Sequence, residues 1–311
     1  MKYKLIVNDN LIDCDENQSI LDTLISNEFS VEYSCKRGDC NLCVAEIING
    51  EVKTTENREK NLINTCLSYP ISNLEINMDL LEGYSLPKPK IVVTKIDEIK
   101  YFSKNYCLLV LRYSPSVILE FLPGQYIDVI YKERIRSYSL ASQNDDKKLK
   151  LLIRLVEGGF FSEYVRNNAK IDDVLRVEIP KGTFFMRKNL KPTTNLVFIC
   201  NGSGIAPIIS MINSNENLDY ISKFKNIYLF WGLKNSNDIK FTSNIKTIKI
   251  IYALSSENKS KYIQNIFFDM NFNLDKTHIY ASGSPLMIDE IIDKIVSEGF
   301  KNVNYFYDKF Y

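Results

Sequence analysis

The chain has 311 residues, 45% of them hydrophobic, and its 39 basic and 38 acidic residues leave a formal net charge of only +1. Because charges of both signs are mixed along the chain, the composition argues against a nucleic-acid surface or an acidic interaction tail. No apolar run of about 18 residues occurs, and the first ten residues hold too short an apolar stretch for a signal sequence, so we expect no membrane span and a cytoplasmic location.

The first segment predicts a small domain of strands and one helix that ends near Glu82. Strands are predicted at Tyr3–Val7, Val44–Ile48 and Leu74–Met78. A helix is expected to start at Ser19, a good N-cap residue, with Asp22 at the third helical position. Asn49 and Gly50 lie between two short apolar stretches and predict a hairpin.

Four cysteines in this segment have the spacing C-x4-C-x2-C-x22-C, which is the ligand spacing of a plant-type [2Fe–2S] cluster. They are Cys35, Cys40, Cys43 and Cys66. Within the loop, Gly38 and Asn41 permit the left-handed backbone that a tight turn around one metal centre uses. Lys36 and Arg37 are expected to lower the thiolate pKa values and to offset cluster charge. The spacing therefore predicts a centre that passes single electrons.

Three other interpretations of the cysteines fit less well. A zinc site usually pairs two C-x2-C knuckles, and this sequence has one. A Rieske cluster needs two histidines, whereas His278 is the only histidine of the chain. A disulfide framework suits small secreted domains and not a chain of this length. The remaining cysteines, Cys14, Cys107 and Cys200, are predicted to be buried reduced thiols.

A second domain follows the proline-containing linker Tyr84–Lys90. From Ile91 to about Met186 the pattern predicts short strands and little helix, which favours an antiparallel barrel or sandwich. The predicted strands are Ile91–Ile99, Cys107–Arg112, Gln125–Tyr131, Arg136–Leu140, Leu149–Val156 and Val174–Ile179. A short helix is expected after Ser162.

From Leu196 onwards strands alternate with helical stretches, notably Pro285–Glu298, and this alternation predicts a parallel α/β sheet. The predicted strands are Leu196–Cys200, Ile227–Trp231, Lys249–Ala253, His278–Ala281 and Val303–Tyr307. The three predicted domains span residues 1–84, 90–188 and 192–311.

Two motifs of the second domain suit a flavin. In R-S-Y-S at residues 136–139, a guanidinium suits a phosphate, a phenol ring can pack on an isoalloxazine and a hydroxyl can reach a ring nitrogen. In E-G-G-F-F-S at residues 157–162, two glycines before a short helix let backbone N–H groups approach a pyrophosphate. Taken alone, R-S-Y-S also fits an edge strand with a surface arginine.

The third domain carries G-S-G-I-A-P at residues 202–207, directly after a predicted strand and at the start of a helix. Its glycines permit close approach of a ligand, and Pro207 suits the first helical turn. The motif lacks the last glycine of G-x-G-x-x-G, so a plain strand-to-helix turn stays open as an alternative. Y-A-S-G-S-P at residues 280–285 is a second junction of the same kind.

The cysteine loop, R-S-Y-S and G-S-G-I-A-P, in this order, resemble the iron–sulfur flavoprotein reductases of the ferredoxin–NADP⁺ reductase superfamily. The resemblance covers nearly the whole chain. It implies a multidomain α+β and α/β architecture: a β-grasp [2Fe–2S] ferredoxin domain, an antiparallel β-barrel that binds FAD, and a parallel α/β domain that binds the nicotinamide dinucleotide. FMN stays open as an alternative flavin. Lys234 near Asp238 leaves NADPH open as an alternative to NADH, which we expect.

The resemblance also implies roles for individual residues, with the four cysteines as cluster ligands. The implied catalytic residues are Ser139, Ser282 and Phe310. The implied cofactor-binding residues are Arg136, Ser137, Tyr138, Ser139, Gly158, Gly159, Ser162, Gly202, Ser203, Gly204, Ile205, Ala206, Pro207, Gly283, Ser284 and Tyr311, the last as an alternative to Phe310 beside the flavin. Three positions depart from the family pattern. Ser203 replaces a usual Thr, Asn41 replaces a frequent Gly, and Ser282 replaces a Cys that contacts the nicotinamide in many relatives.

The electron path and the partner are likewise expectations. A nicotinamide hydride would deliver two electrons to the flavin, and the cluster would pass them singly to a redox partner protein. The strings LPGQYIDVIYKERIRSYSLAS, KGTFF, YASGSPLM and FYDKF are similar to reductases of the CDP-6-deoxy-Δ3,4-glucoseen type, which implies a dehydratase partner in 3,6-dideoxysugar synthesis. Reductases of aromatic-ring dioxygenases share the layout. A non-enzymatic electron carrier or redox sensor is a third hypothesis, favoured only by Ser282. His278 and Trp231 are expected to be structural.

Overall fold

A computed structural model of the chain describes residues 1–55, 61–143, 147–235, 238, 247–256, 262–300 and 303–311. These residues form two compact units, Met1–Lys88 and Pro89–Tyr311. Each unit has its own core of buried apolar side chains.

The first unit is a mixed sheet covered by one helix. Its elements are β1 Lys2–Val7, β2 Asn10–Asp15, α1 Ile20–Ser26, β3 Val44–Asn49, β4 Val52–Thr54, β5 Leu62–Asn64, β6 Ser68–Pro70 and β7 Leu74–Asn77. Five strands form one sheet in the order β2-β1-β7-β3-β5, in which β1 and β7 are parallel. Leu21 and Leu24 of α1 are fully buried against Leu5 and Val7 of β1, which gives the β-grasp arrangement.

Helix α1 begins as its sequence predicts. Ser19 is the N-cap, and its hydroxyl oxygen accepts the backbone N–H of Asp22 at 3.1 Å. The bond satisfies one of the N–H groups that the first turn leaves without a partner in the helix. The helix is thereby held at the point where the chain leaves β2 and approaches the cysteine loop.

The hairpin predicted at Asn49 and Gly50 is wrong. Strand β3 pairs with β5 on one side and β7 on the other, whereas β4 pairs with β6 in a separate two-stranded sheet. Gly50 does turn the chain, with φ +95°, but both edges of β3 are already occupied. The local turn signal was correct, and the strand pairing was decided by residues far along the chain.

The second unit begins with an antiparallel barrel. Its strands are β8 Lys90–Ser103, β9 Tyr106–Tyr113, β10 Tyr126–Tyr131, β11 Arg134–Ser139, β12 Lys148–Arg154 and β13 Val174–Lys181. Their order is β11-β10-β13-β8-β9-β12, and a bridge between Leu140 and Leu151 joins the two end strands. Each predicted strand of this region is present, with shifted bounds. Helix α2, Phe160–Asn167, begins before Ser162 and not after it, because Gly159 serves as its N-cap.

The rest of the second unit is a parallel sheet with helices between its strands. The strands are β14 Asn195–Asn201, β15 Asn226–Leu233, β16 Ile248–Leu254, β17 Thr277–Gly283 and β18 Asn304–Lys309. The helices are α3 Ile205–Asn213, α4 Asn215–Ser222, α5 Ile263–Asp269 and α6 Pro285–Ser297. The order β16-β15-β14-β17-β18 reverses direction at β14, so a crevice is expected outside the carboxyl ends of β14 and β17.

The barrel and the parallel sheet of the second unit share a core. Tyr106, Leu152 and Phe184 of the barrel segment pack in one buried cluster with Phe198 of β14 and Tyr280 of β17. This shared core packs the barrel segment against the parallel sheet. Among the described residues, α6 is the longest helix with 13 residues, and none combines the length and the apolar character needed to cross a membrane.

Candidate functional site

The four predicted cluster ligands lie in one buried region of the first unit. Cys35, Cys40 and Cys43 lie in the loop between α1 and β3, and Cys66 lies in the short 3-10 turn after β5. Three of the four thiols are almost fully buried, and Cys35 is partly exposed. Residues that are distant along the chain thus reach a common centre because β3 and β5 are neighbours in the sheet.

The backbone of the cysteine loop wraps around sulfur. Lys36, Gly38 and Asn41 have φ values of +53°, +89° and +60°, as the sequence predicts for Gly38 and Asn41. The backbone N–H groups of Arg37 and Cys40 both point at the Cys35 sulfur at 3.4 Å. Such N–H groups stabilise thiolate charge and tune the potential of a cluster.

The thiols are coupled in two pairs, Cys35 with Cys40 and Cys43 with Cys66. A hydrogen bond from Cys40 lowers the pKa of Cys35 to about 6, and the same bond raises the pKa of Cys40. A hydrogen bond from Cys66 lowers the pKa of Cys43 to about 7 and raises that of Cys66. Among the described residues, no group of three or more His, Cys, Asp or Glu side chains surrounds one metal ion. A two-iron cluster needs no such group, because its four thiolates are divided between two irons. The donor set therefore fits a [2Fe–2S] cluster.

The two cations of the loop have carboxylate neighbours. Lys36 lies 2.7 Å from Asp22 of α1, and Arg37 lies 3.0 Å from Asp39 within the loop. These ion pairs reduce the positive charge that Lys36 and Arg37 direct at the cysteine sulfurs. The backbone N–H groups of Arg37 and Cys40, at 3.4 Å, place positive potential directly at the Cys35 sulfur.

The flavin motif R-S-Y-S forms the end of β11. The Arg136 side chain is exposed, and the ring of Tyr138 packs 5.6 Å from that of Phe161, in surroundings whose burial raises the tyrosine pKa. Ser137 donates to Asp128 at 2.6 Å, and Ser139 faces a carboxylate described below. The Arg136 guanidinium donates to the carbonyl of Ile135 at 2.8 Å. The strand thus presents one exposed guanidinium and one ring fixed by packing, which fits a flavin with a phosphate.

The predicted pyrophosphate turn lies at the start of α2. Gly158 has φ +69°, and the space where a Cβ would stand is open. The Ser162 hydroxyl accepts the N–H of Val156 at 3.1 Å and thereby closes the turn. The N–H of Gly158 donates to Glu163 at 3.3 Å. The open space fits a ligand, and the carboxylate next to it was not foreseen.

A buried ion cluster lies beside the flavin strand. Lys181 of β13 forms ion pairs with Asp128 and with Glu178, the latter at 2.7 Å, and Asp128 also accepts the Ser137 hydroxyl. Burial opposes the charged form of Lys181, but the hydrogen bonds to Asp128 and Glu178 outweigh it and raise its pKa. Local sequence patterns do not pair residues on separate strands, so the sequence carried no signal for this cluster.

The predicted nicotinamide loop follows β14. The segment Gly202–Gly204 is a 3-10 turn with φ +51° at Gly202, and Pro207 lies in the first turn of α3 as predicted. A Cβ on Gly204 would overlap the carbonyl oxygen of Ser282. Trp231 is fully buried, as expected, but its indole N–H also donates to the carbonyl of Gly202 at 3.1 Å.

The second junction follows β17 and meets the end of the chain. The fully buried Ser282 donates its hydroxyl proton to the Gly204 carbonyl at 2.6 Å. The carbonyl of Gly283 accepts the N–H of Phe310 at 2.7 Å, and Tyr311 is half exposed. The Ser282 hydroxyl is thus bonded to the loop after β14, and this bond helps to fix the orientation of that loop.

One acidic residue beside the flavin strand was missed. Asp308 is 5% exposed, and the hydroxyl of Ser139 lies 3.4 Å from its carboxylate. The two residues are separated by 169 positions, so only the fold joins them. Asp238, which follows Lys234 in the segment that bears on NADH against NADPH, is buried and accepts the N–H of Asn235 at 3.2 Å; the residues on either side of it, 236–237 and 239–246, lie outside the described residues.

Three domain families match successive parts of the chain. The family described as "2Fe-2S iron-sulfur cluster binding domain" matches residues 6–70. "Oxidoreductase FAD-binding domain" matches residues 93–186, and "Oxidoreductase NAD-binding domain" matches residues 198–293. A protein of Yersinia pestis named CDP-6-deoxy-L-threo-D-glycero-4-hexulose-3-dehydrase reductase is 34% identical over an alignment of 231 positions that covers 70% of this chain and 67% of that protein. The chain belongs to the iron–sulfur flavoprotein reductases of the ferredoxin–NADP⁺ reductase superfamily.

This reductase has other relatives in sequence. Protein RfbI of Salmonella typhimurium is 34% identical over 226 residues, which are 72% of this chain and 67% of that protein. The ferredoxin–NAD(P)⁺ reductase component of a naphthalene 1,2-dioxygenase/salicylate 5-hydroxylase system from a Ralstonia species is 28% identical over an alignment of 240 positions that covers 73% of this chain and 70% of that protein. The reductase is an NAD(P)H-dependent oxidoreductase with FAD and a [2Fe–2S] cluster that transfers electrons.

Solved structures support the fold of the reductase. The cytochrome P450 reductase GcoB of Amycolatopsis superposes with a TM-score of 0.80 at 18% identity and covers 99% of this chain and 98% of its own. The ferredoxin reductase in carbazole 1,9a-dioxygenase has a TM-score of 0.72 at 20% identity, with 100% and 99% covered. The β-grasp, barrel and parallel-sheet architecture predicted from the sequence is confirmed.

Proposed function

We propose that this reductase supplies single electrons to a CDP-6-deoxyhexulose 3-dehydrase in 3,6-dideoxysugar synthesis. The observation that carries the proposal is the 34% identity to a Yersinia pestis reductase whose name includes that dehydrase, against 28% for the Ralstonia dioxygenase reductase component. The cytoplasm is the proposed location, because reduced thiols persist there and Cys14, Cys107 and Cys200, the three cysteines outside the cluster motif, are buried and not in disulfides.

A second candidate function is the reductase component of a ring-hydroxylating dioxygenase or another oxygenase. A toluate 1,2-dioxygenase electron transfer component of Pseudomonas putida is 22% identical over an alignment of 322 positions that covers 96% of this chain and 94% of that protein. This end-to-end match supports the same order of domains with a different electron acceptor. The two candidate functions differ in the protein that accepts the electrons, so they differ in which protein the surface of this reductase binds.

The proposal assigns the cofactors to the residues named from the sequence. The ligands of the cluster are Cys35, Cys40, Cys43 and Cys66. The flavin is held by residues 136–139 and by the turn at Gly158, Gly159 and Ser162, and the nicotinamide dinucleotide by residues 202–207 and 282–284. The assigned domains are residues 1–84, 90–188 and 192–311, each of which contains one of the matched families.

Within this assignment, the side chains bind and orient more than they react. Bound FAD and nicotinamide supply the hydride chemistry, and the bound cluster supplies single-electron transfer. Arg136 would hold a phosphate, Tyr138 and Phe310 would pack beside the flavin ring, and the Ser139 hydroxyl would be oriented by Asp308. Ser282 would act on the nicotinamide through the loop to which it is bonded. NADH is proposed as the donor, with NADPH as the alternative.

A reconstituted assay with purified partners tests the function. The reductase is mixed with a CDP-6-deoxyhexulose 3-dehydrase, its sugar substrate and NADH, and product formation is followed under anaerobic conditions. We expect product only when the reductase, the dehydrase and NADH are all present. The matched control replaces the dehydrase by a ring-hydroxylating oxygenase component with its aromatic substrate and is run in air, because the oxygenase consumes O2 as a second substrate. Turnover with the oxygenase but not with the dehydrase would favour the second candidate.

A further inference from the structure

Asn201 joins two loops at the carboxyl edge of the parallel sheet. It ends β14, and its side chain reaches Ser284, the N-cap of α6, 83 positions further along the chain. The Asn201 Oδ1 accepts the backbone N–H of Ser284 at 2.9 Å, and Nδ2 donates to the Ser284 hydroxyl at 2.7 Å. Because a backbone N–H can only donate, this contact fixes the orientation of the amide.

The backbone around this link is shaped to receive the asparagine. Gly283, which precedes Ser284, has φ +137°, a conformation that residues with a Cβ rarely adopt. A Cβ at Gly283 would overlap the Oδ1 of Asn201. The amide therefore fills a space that only glycine leaves open, so the side chain and the turn conformation depend on each other.

A second bridge crosses between the same loops in the opposite direction. Ser282, near the end of β17, donates to the carbonyl of Gly204 in the loop after β14. Asn201, the last residue of β14, bonds to Ser284, which follows β17. Two bridges that start from opposite sides fix both the separation and the relative orientation of the loops. The indole N–H of Trp231, on β15, also donates to the carbonyl of Gly202 and so adds a third contact to the loop after β14.

The Asn201–Ser284 and Ser282–Gly204 hydrogen bonds lie where a nucleotide is expected to bind. The order of the strands reverses at β14, and in parallel sheets a nucleotide binds outside the carboxyl ends of the strands at such a point. A dinucleotide that lies across both loops binds more tightly when their separation is set in advance, because binding then pays no cost for ordering them. This step rests on the proposed function, which places the nicotinamide dinucleotide at residues 202–207 and 282–284.

We propose that Asn201 is a positioning residue for the nicotinamide dinucleotide and that it acts through Ser284. It lies one residue before the G-S-G-I-A-P motif, and its role is to hold the loop after β14 at the separation from the loop after β17 that the dinucleotide requires. Asn201 itself does not take part in hydride transfer. Its loss therefore weakens binding of the dinucleotide more than it slows the reaction of the bound dinucleotide.

Anaerobic stopped-flow reduction of the bound flavin over a range of NADH concentrations separates these two effects. The dissociation constant and the limiting rate are measured for the full-length holoenzyme and for Asn201→Ala, Ser284→Ala and the double variant. Asn201→Ala is expected to raise the dissociation constant about tenfold, because two hydrogen bonds are lost, and to change the limiting rate by less than about threefold. Ser284→Ala removes one of the two hydrogen bonds that Asn201→Ala removes, because the backbone N–H of residue 284 remains. The double variant is therefore expected to bind no more weakly than Asn201→Ala.

The matched control is Asn217→Ala. Asn217 is 2% exposed, and its side chain donates to the carbonyl of Met211 at 3.0 Å in the same sheet-and-helix region, away from the two loops. It is expected to lower the melting temperature without changing the dissociation constant. The proposal fails if the wild-type flavin is reduced by NADH and Asn201→Ala binds normally, if the single effects add, or if Asn217→Ala weakens binding equally. Absence of flavin reduction in the wild type would instead overturn the proposed function.

Discussion

At the scale of single residues, the cysteine loop is defined by unequal thiols. In each pair, one sulfur has a lowered pKa, about 6 for Cys35 and about 7 for Cys43, while its partner has a raised pKa. Metal ligation needs thiolates, and in each pair the hydrogen bond between the two thiols favours the thiolate form of one sulfur. The burial of Cys43 would limit the access of water to the bound cluster, and the N–H groups at Cys35 would stabilise its thiolate charge.

Replacing one ligand should separate the two halves of the electron path. Cys43→Ser is expected to leave NADH-to-ferricyanide transfer near the wild-type rate and to abolish cytochrome c reduction, because ferricyanide takes electrons from the flavin and cytochrome c takes them from the cluster. Both activities are measured with the visible spectrum and the iron content of the purified protein.

The control for this variant is Cys14→Ser. Cys14 lies in the same unit, is fully buried, and its sulfur is 3.1 Å from the Thr23 hydroxyl, which can bond to a serine in its place. Cys14→Ser should retain the iron and both activities. Survival of cytochrome c reduction in Cys43→Ser would contradict the assignment of the ligands.

At the scale of elements, the strands that carry the flavin motif are joined by charge. Lys181 of β13 lies between Glu178 of the same strand and Asp128 of β10, and Asp128 bonds to Ser137 of β11. Lys181 and Asp128 are both less than 10% exposed. Removing the lysine would leave a buried carboxylate without its cation, which is costlier than the pair was favourable.

Lys181→Met should therefore destabilise the barrel. We expect a loss of about 3 kcal/mol in the free energy of unfolding, measured by urea denaturation. The matched control is Lys148→Met on β12, where Lys148 lies 2.6 Å from Asp97 and is 48% exposed in its side chain. An exposed pair of this kind should cost less than about 1 kcal/mol. Equal losses of stability in the two variants would show that the burial of the Lys181 ion pairs does not increase their contribution to the free energy of unfolding.

At the scale of the whole molecule, one part of the pH dependence of the free energy of unfolding can be assigned to His278, because it is the single histidine of the chain. His278 is fully buried, its Nδ1 lies 3.4 Å from the Tyr220 hydroxyl, and its Nε2 has no hydrogen-bond partner among the described residues. Burial lowers the pKa of His278 in the folded chain. The unfolded chain therefore binds more protons below its own imidazole pKa, so stability rises with pH in that range.

His278→Phe should remove this component. In the wild type the contribution is fully present above a pH of about 6.5 and is lost as the pH falls below it. The difference in free energy of unfolding between wild type and His278→Phe should thus shift in favour of the variant as the pH is lowered from about 7.5 to about 5.5. Unfolding is followed by the fluorescence of Trp231, the only tryptophan, which is buried in the same sheet. A difference that does not change with pH would contradict the assignment.

The order of the elements and the chemistry of the cofactors were readable from the sequence. The cysteine spacing named the cluster, Ser19 marked the start of α1, and alternation of strands and helices predicted the parallel sheet, because each of these signals lies within a short stretch of chain. Pattern and spacing carried less information about which strands pair, because pairing joins stretches that are far apart in the sequence. The turn at Gly50 was recognised, but its supposed hairpin was wrong because the partners of β3 lie elsewhere.

The sequence by itself determined which residues could carry the chemistry, and only the tertiary structure decided how they are held. The bonds from Asn201 to Ser284 and from Ser282 to Gly204 span 83 and 78 positions, and that from Lys181 to Asp128 spans 53. No local propensity encodes such contacts. They arise when buried apolar faces pack strands side by side, and the polar side chains at the strand ends then meet whatever the packing has brought opposite them.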